Sequence, residues 1–338
     1  MFKDYLTRII QRTNLTEDDM ADMMNTVLTG QASEAQIGAM MAALATKGET
    51  FEELAGAARA MRRNARRIQA MGSPVVDTCG TGGDGAQTFN ISTTTAFVVA
   101  GCGVTVAKHG NRSVSSKCGS ADVLEALGVK LDTDPEIVEE AVHSIGIGFL
   151  FAPLYHSAMK YAAKPRRELG VRSIFNMLGP LTNPASANCQ LLGVFAPQLT
   201  EMFAQALKLL GGQSAMVVHG HDGLDEISVC APTRVSELKN GTIRTYDIHP
   251  EQYFGRLAQP TEMGGGTPAE NAAITRAVLS GEKSAKRDVV LINAGAALVA
   301  AGRADKLQHG IEMAAAAIDG GKALAKLEAL AAYTRENG

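Results

Sequence analysis

Apolar positions over residues 1–70 recur every three or four residues, and the spacing predicts four short helices. Phe2, Leu6, Ile9 and Ile10 share one face. Thr16 caps a second helix that carries Met20, Met24, Val27 and Leu28, and Gly30 stops it. Ser33 starts a third, with Ile37, Met40, Met41 and Leu44 on one side and Gly48 at its end. Thr50 and Glu53 have capping-box spacing and open a fourth through Leu54, Ala57 and Met61. The methionine-rich faces read as core or as a self-association surface.

From residue 75 the period changes. β-rich runs at Val75–Asp77, Val104–Ala107, Gly148–Phe151, Gln190–Phe195, Ser214–His219 and Glu226–Val229 alternate with helical stretches, which predicts an α/β sheet. Val235–Leu238 and Ile243–Tyr246 flank Lys239-Asn240-Gly241-Thr242, a hairpin signal. Gly72-Ser73-Pro74 reads as a linker. The expected division is a helical domain over 1–72 and an α/β domain over 73–338. The proline-punctuated, strandless segment 153–185 is expected to contribute in part to the helical domain.

Composition narrows the function classes. With 338 residues, 46% hydrophobic and 20% charged, the chain can bury a sizeable core. A net charge of −3 and the absence of tryptophan argue against a nucleic-acid groove or base-stacking platform. Five cysteines without C-x-x-C spacing argue against a disulfide framework or a structural zinc site and for reduced thiols in the cytoplasm. Met1-Phe2-Lys3-Asp4-Tyr5 does not open a secretory signal. Arg62, Arg63, Arg66 and Arg67 are expected to form a solvated face that complements a helix C-terminus.

Candidate chemistry concentrates in two glycine-rich turns, each after a β-rich run. Gly80-Thr81-Gly82-Gly83-Asp84-Gly85 lets backbone amides approach ligand oxygens, and Thr88-Phe89-Asn90-Ile91-Ser92-Thr93 adds donors where a helix opens. Gly80-x-Gly82-x-x-Gly85 matches the dinucleotide fingerprint literally. That fingerprint needs a helix opening within the glycines and an acid ending the next strand, whereas Lys108-His109 stands there. NAD is therefore discounted, and a phosphorylated sugar fits better. Lys108 can neutralise pyrophosphate oxygens, and Arg112 can assist or order the turn. Asn111 can bridge two ligands, and His109 suits either a polar contact to an aromatic substrate or a packed position. Asp225-Glu226 could hold one or two Mg²⁺ ions, with an ordinary acidic turn as the alternative. Arg166 could pair with a substrate carboxylate or with Glu168. His219 and His221, with no cysteine partner, make a weak zinc signal.

Taken together, Gly80–Gly85, Thr88–Thr93, Lys108–Ser116 with Gly119–Asp122, Arg166–Gly170 with Phe175–Pro184, and His219–Glu226 resemble the anthranilate phosphoribosyltransferase family across most of the chain. The resemblance implies Mg²⁺-dependent transfer of phosphoribose from phosphoribosyl pyrophosphate (PRPP) to the amine of anthranilate, the second step of tryptophan synthesis from chorismate. It implies a small helical domain hinged to a larger α/β domain, whose central sheet is mixed and mainly parallel, and a cytoplasmic homodimer formed through the helical part. Carried over by motif, Gly80, Gly83, Asp84, Thr88, Asn90, Ile91, Ser92, Thr93, Lys108, His109, Gly110, Asn111, Arg112, Ser113, Val114, Ser115, Ser116 and Ser120 would line the PRPP site. Ser92, Asp225 and Glu226 would serve the metal, with two ions expected per subunit. Gly80, Asn111 and Arg166 would touch anthranilate, with His109, Tyr155 and His156 beside its access path. Ser157 stands where the family often has proline, which is expected to adjust the substrate tunnel. A pyrimidine nucleoside phosphorylase and a nucleic-acid-binding paralogue of the same fold are the rival readings. Gly80–Asp84 with Asp225-Glu226 disfavours the first and the net charge disfavours the second.

Overall fold

The computed structural model describes residues 1–70, 72, 74–113 and 117–338. Four helices open it, α1 (Phe2–Ile10), α2 (Glu17–Leu28), α3 (Glu34–Lys47) and α4 (Phe51–Arg63). Their starts follow the hydroxyl caps: Thr16 accepts from the Asp19 amide, and Ser33 with Gln36 and Thr50 with Glu53 form reciprocal capping boxes. Glu53 does more than cap. Its fully buried carboxylate also accepts from the Leu15 amide at 3.0 Å and from Lys47 Nζ at 2.9 Å, locking the loops before α2 and α4 together.

The α/β part runs β1 (Val75–Gly80), α5 (Ile91–Gly101), β2 (Thr105–Gly110), α6 (Ser120–Ala126), α7 (Pro135–Ile145), β3 (Ile147–Phe151) and α8 (Ala152–Tyr155). Next come α9 (Lys160–Leu169), α10 (Phe175–Leu178), β4 (Cys189–Gly193), α11 (Leu199–Leu209), β5 (Ser214–Gly220), β6 (Thr233–Lys239) and β7 (Thr242–Ile248). Helices α12 (Glu251–Phe254), α13 (Pro268–Leu279), α14 (Ala285–Ala300), α15 (Leu307–Asp319) and α16 (Lys322–Asn337) complete the chain. The strands form one mixed sheet in the order β3-β2-β1-β4-β5-β6-β7. The first five are parallel, and β6 and β7 add an antiparallel hairpin. Asn240 and Gly241 turn that hairpin with φ of +51° and +72°, the left-handed pair a two-residue hairpin turn needs.

The twofold alternation of strand side chains divides the sheet into two faces. Val76, Val106, Phe149, Leu191 and Val218 share a core with α5 and α14. Cys79, Leu192, Val194 and Val217 share another core with α2, α3, α4 and α11. Helix α9 lies against α3 and α2, and α10 against α4, so these parts of the segment that lacked a strand pattern contact the N-terminal helices.

Two expectations need correction. Glu226–Val229 is not a strand: the buried Asn293 side chain accepts from the Ile227 amide and donates to its carbonyl, so these groups are satisfied without a ladder. Arg62 is not part of a solvated face. It donates to the Leu181 carbonyl at 2.7 Å and the Leu210 carbonyl at 3.4 Å, and burial lowers its pKa to about 10. Arg66 does remain exposed, paired with Glu136. Of the linker expected at Gly72-Ser73-Pro74, Ser73 lies outside the described residues.

Glu53→Gln should lower the unfolding free energy by about 3–5 kcal/mol, because it leaves the Lys47 ammonium buried without its partner. Urea denaturation measures this, and a change below about 1 kcal/mol would mean the pair does not hold the helical layer.

Candidate active site

Strand order reverses beside β1: β2 and β3 extend the sheet to one side, then the chain returns to place β4 on the other. Ligands of open α/β sheets bind beyond the carboxyl ends of the strands at such a switch point. Here that edge carries the loop after Gly80, the end of β2 at Lys108-His109-Gly110, and the loop holding Asp225 and Glu226. Helix α5 opens at Ile91, well beyond the end of β1 at Gly80, rather than within the glycines, which agrees with discounting the dinucleotide fingerprint.

Two glycines bring these loops together. Gly80 and Gly193 are Cα partners across β1 and β4. A Cβ on Gly193 would overlap the Asp225 carbonyl, and one on Gly80 would collide with the Asp225 carboxylate. The Gly82 amide donates to that carboxylate at 2.8 Å. Burial raises the pKa of Asp225 well above the usual range, and the neighbouring Asp84 and Glu226 charges add to the shift. Burial likewise raises Glu226 to about 8, against the opposing pull of Lys108 and of hydrogen bonds from Ser92. Carboxylates crowded in this way form a donor set suited to a hard divalent cation. Among the described residues, however, no three His, Cys, Asp or Glu side chains could hold an ion by themselves. The arrangement therefore fits Mg²⁺, which usually takes one or two carboxylates and completes its shell from water and substrate phosphate.

Consecutive residues of β2 serve opposite faces of the sheet. Lys108, 4% exposed, donates from Nζ to the Thr78 carbonyl and approaches Ser92 Oγ at 3.4 Å, at the N-terminus of α5. His109 is 7% exposed and lies beside Gly179 and His156, with the two imidazoles edge to face at 5.1 Å. Because the Gly179 carbonyl can only accept, His109 Nδ1 carries the proton at 3.2 Å from it. That leaves Nε2 with a bare lone pair, which is buried and without a partner among the described residues, as is Nε2 of His156. Burial lowers His109 to about 3, with His156 adding to the effect, and burial lowers His156 to about 4.

Arg166 lies with its guanidinium 5.3 Å from the Phe175 ring and has no carboxylate partner among the described residues, so the Glu168 alternative is not realised. It is half-buried, and burial lowers its pKa. An arginine desolvated without a counter-ion is suited to receive an anionic ligand.

Other expected site residues are distributed less simply. Asn90 caps α5, but its amide donates to the Cys118 carbonyl and accepts from Asn271. Thr88 bridges to Gly264. The Ile91 side chain belongs to the core, so only its backbone could face a ligand, and the Thr93 hydroxyl is buried in the interior. The guanidinium of Arg112 is engaged by Asp122 and Glu125, which is the turn-ordering alternative. The Ser113 amide donates to Asp122, and Ser120 Oγ donates to the Asn111 carbonyl. Tyr155 is not beside an open path: at 1% exposure it packs with Ile68, Val75, Ala107 and Leu150. Val114, Ser115 and Ser116 lie outside the described residues. The zinc reading fails, since His219 bonds the Val194 carbonyl and His221 pairs separately with Asp247.

Sequence reasoning missed Asp77. Its buried carboxylate accepts from the His109 amide at 3.2 Å and from Asn183 Nδ2 at 2.8 Å, and the same Asn183 nitrogen donates to the Ala107 carbonyl. This knot fixes the end of β2 against the segment that ends at Asn183. Burial raises Asp77 to about 6. Asn271 was missed too, because it lies 181 positions from the Asn90 it orients.

The two imidazoles give a pH prediction. Their folded pKa values lie below the unfolded value near 6.5, so the stability tied to the neutral rings is present above that pH and lost as pH falls toward about 4 and 3. Each unit of separation is worth about 1.4 kcal/mol. Denaturant titrations between neutral pH and pH 4 should show a slope that His109→Gln/His156→Gln reduces, and an unchanged slope would contradict the buried neutral pair.

Comparison with known proteins places the fold and the family. Residues 3–65 match the helical bundle domain of a glycosyl transferase family, and residues 72–324 match its a/b domain. The anthranilate phosphoribosyltransferase of Desulfosudis oleivorans is 69% identical, with 100% of both chains covered. The crystal structure of the Thermus thermophilus anthranilate phosphoribosyltransferase superposes with a TM-score of 0.93 at 42% identity, covering 98% of this chain and 99% of that one. The Saccharomyces cerevisiae enzyme in complex with PRPP and Mg gives a TM-score of 0.90 at 27% identity, covering 99% and 98%. The same yeast enzyme is also solved with 4-fluoroanthranilate. The chain belongs to the anthranilate phosphoribosyltransferase family.

Proposed function

We propose that this chain transfers the phosphoribosyl group of PRPP to the amine of anthranilate, giving N-(5-phosphoribosyl)anthranilate and pyrophosphate. The observation that carries the reading is the split at the end of β2. Lys108 lies beside Ser92 and the acidic pair on one face, while His109 keeps a bare buried nitrogen on the other. A polyanionic donor and an aromatic amine are thus offered separate sides of one edge.

In this reading the glycine turn and the N-terminus of α5 receive the donor, with amides and Lys108 balancing phosphate charge. Ser92, Asp225 and Glu226 would hold Mg²⁺, in two sites per subunit, and the metal would supply charge neutralisation for the departing pyrophosphate. Arg166 holds the carboxylate of anthranilate, which places its amine toward the anomeric carbon of the donor. No covalent nucleophile from the protein is required. Positioning and electrostatics supply the rate.

The helical unit is assigned to 1–72 with part of 153–185, and the α/β unit to 73–338. The protein acts as a cytoplasmic homodimer. Dimerisation through the helical part is supported by an open groove lined by Ile9, Ile10, Ala39, Ala42 and Ala43 together with Arg12, Thr46 and Lys47, with Ile10 64% exposed. The cytoplasmic reading is supported by five free cysteines, and no helix among the described residues is long and apolar enough to cross a membrane.

An assay with Mg²⁺, PRPP and anthranilate, following loss of anthranilate fluorescence, tests the activity directly. Absence of turnover would reject it. Arg166→Ala should raise the KM for anthranilate by at least about tenfold with far less effect on that for PRPP, and equal effects would remove Arg166 from the carboxylate contact. Asp225→Asn should shift the Mg²⁺ titration to higher concentration, and an unchanged titration would make the acidic turn structural.

A further inference from the structure

The glycine turn is held at three successive residues, and the third tether comes from an unexpected direction. The Thr81 amide donates to the Gly193 carbonyl at 2.9 Å, and its Oγ1 accepts from the Phe195 amide at 3.1 Å. The Gly82 amide donates to Asp225. The Gly83 carbonyl accepts from Arg172 Nη2 at 3.0 Å. Arg172 lies in the segment between α9 and α10, and its guanidinium stands 3.8 Å from the centre of the Phe195 ring. This is a cation–π contact much closer than that of Arg166 with Phe175.

Gly82, Gly83 and Gly85 all have positive φ, so the turn has little intrinsic preference for one shape and needs external ties to keep it. The tie at Gly83 sits between the amide bound to Asp225 and the carboxylate of Asp84. A Cβ at Gly83 would come within 2.8 Å of Arg172 Nη2, so the turn and the arginine are fitted to each other. Apart from the Gly83 bond and the Phe195 contact, Arg172 has no protein partner among the described residues. Four of its five N–H donors are therefore uncommitted, and they keep a positive charge beside the turn.

We propose that Arg172, seated on Phe195, is a positioning residue for the pyrophosphate-bearing donor, acting by fixing the Gly83-Asp84 turn. The proposal rests on the activity inferred above. It assigns Arg172 to the donor side, although α9, the helix just before it, carries the Arg166 assigned to the acceptor.

The test compares wild type, Arg172→Ala, Arg172→Lys, Phe195→Leu and the Arg172→Ala/Phe195→Leu double variant. It uses steady-state kinetics, calorimetric titration with PRPP and Mg²⁺, and thermal unfolding. Arg172→Ala should raise the KM for PRPP and weaken its calorimetric Kd by about tenfold, with the KM for anthranilate changed less than about twofold. The unfolding midpoint should stay within about 2 °C of wild type, because the side chain is exposed. Arg172→Lys should recover part of the loss, since an ammonium can reach the carbonyl but cannot stack flat. Phe195→Leu should produce a smaller shift of the same sign, and the double variant should be no worse than Arg172→Ala alone. Unchanged PRPP binding, an equal or larger rise in the anthranilate KM, a lowered midpoint in place of a binding change, or additive effects would each overturn the proposal. Wild-type turnover tests the activity independently, so failure of the one can be told from failure of the other.

Discussion

The close approach of Asp225 to Gly80 and Gly193 is the constraint on which the site depends. Two strands adjacent in the sheet, yet more than a hundred residues apart in the chain, end in paired glycines, and the absent side chains let a third loop lie against both. Any larger residue at position 193 would displace the Asp225 backbone. The glycine turn could then no longer bond the Asp225 carboxylate, and the crowded acids Asp84, Asp225 and Glu226 would separate.

A second feature is how irregular backbone is kept inside the protein. The 179–185 segment and the 221–232 loop border the candidate site without forming strands or long helices. Each is secured by a buried asparagine, Asn183 bonding Asp77 and Ala107, and Asn293 bonding both backbone groups of Ile227. Unpaired amides and carbonyls at such depth would each cost roughly 1–3 kcal/mol. These asparagines permit a loop-built site on a rigid sheet.

The difference between the two faces at the end of β2 follows from strand geometry. Neighbouring residues of a strand face opposite ways, so the dipeptide Lys108-His109 supplies a cation to one face and a neutral imidazole to the other. The environments then separate their chemistry. Lys108 lies near acids and Ser92, whereas His109 is enclosed by His156 and the Gly179 carbonyl and is held neutral by burial.

Local signals were readable wherever the physics is local. Hydroxyl caps, the Asn240-Gly241 hairpin, the change from helical to strand period and the glycine turns depend on residues a few positions apart, and the sequence by itself determined them. The family resemblance, carried by ordered motifs over most of the chain, determined the reaction class. Tertiary structure alone decided which charges are already engaged. Arg112 is bound by Asp122 and Glu125, Arg62 clamps Leu181 and Leu210, and Arg166 is left without a carboxylate among the described residues. It also decided that Glu226–Val229 is a loop, that Tyr155 is core, and that Asp77 bonds the His109 amide, Asn271 the Asn90 side chain and Arg172 the Gly83 carbonyl. Each of these outcomes depends on partners brought together by strand crossovers and helix packing, and no local spacing encodes a contact made across so many intervening residues.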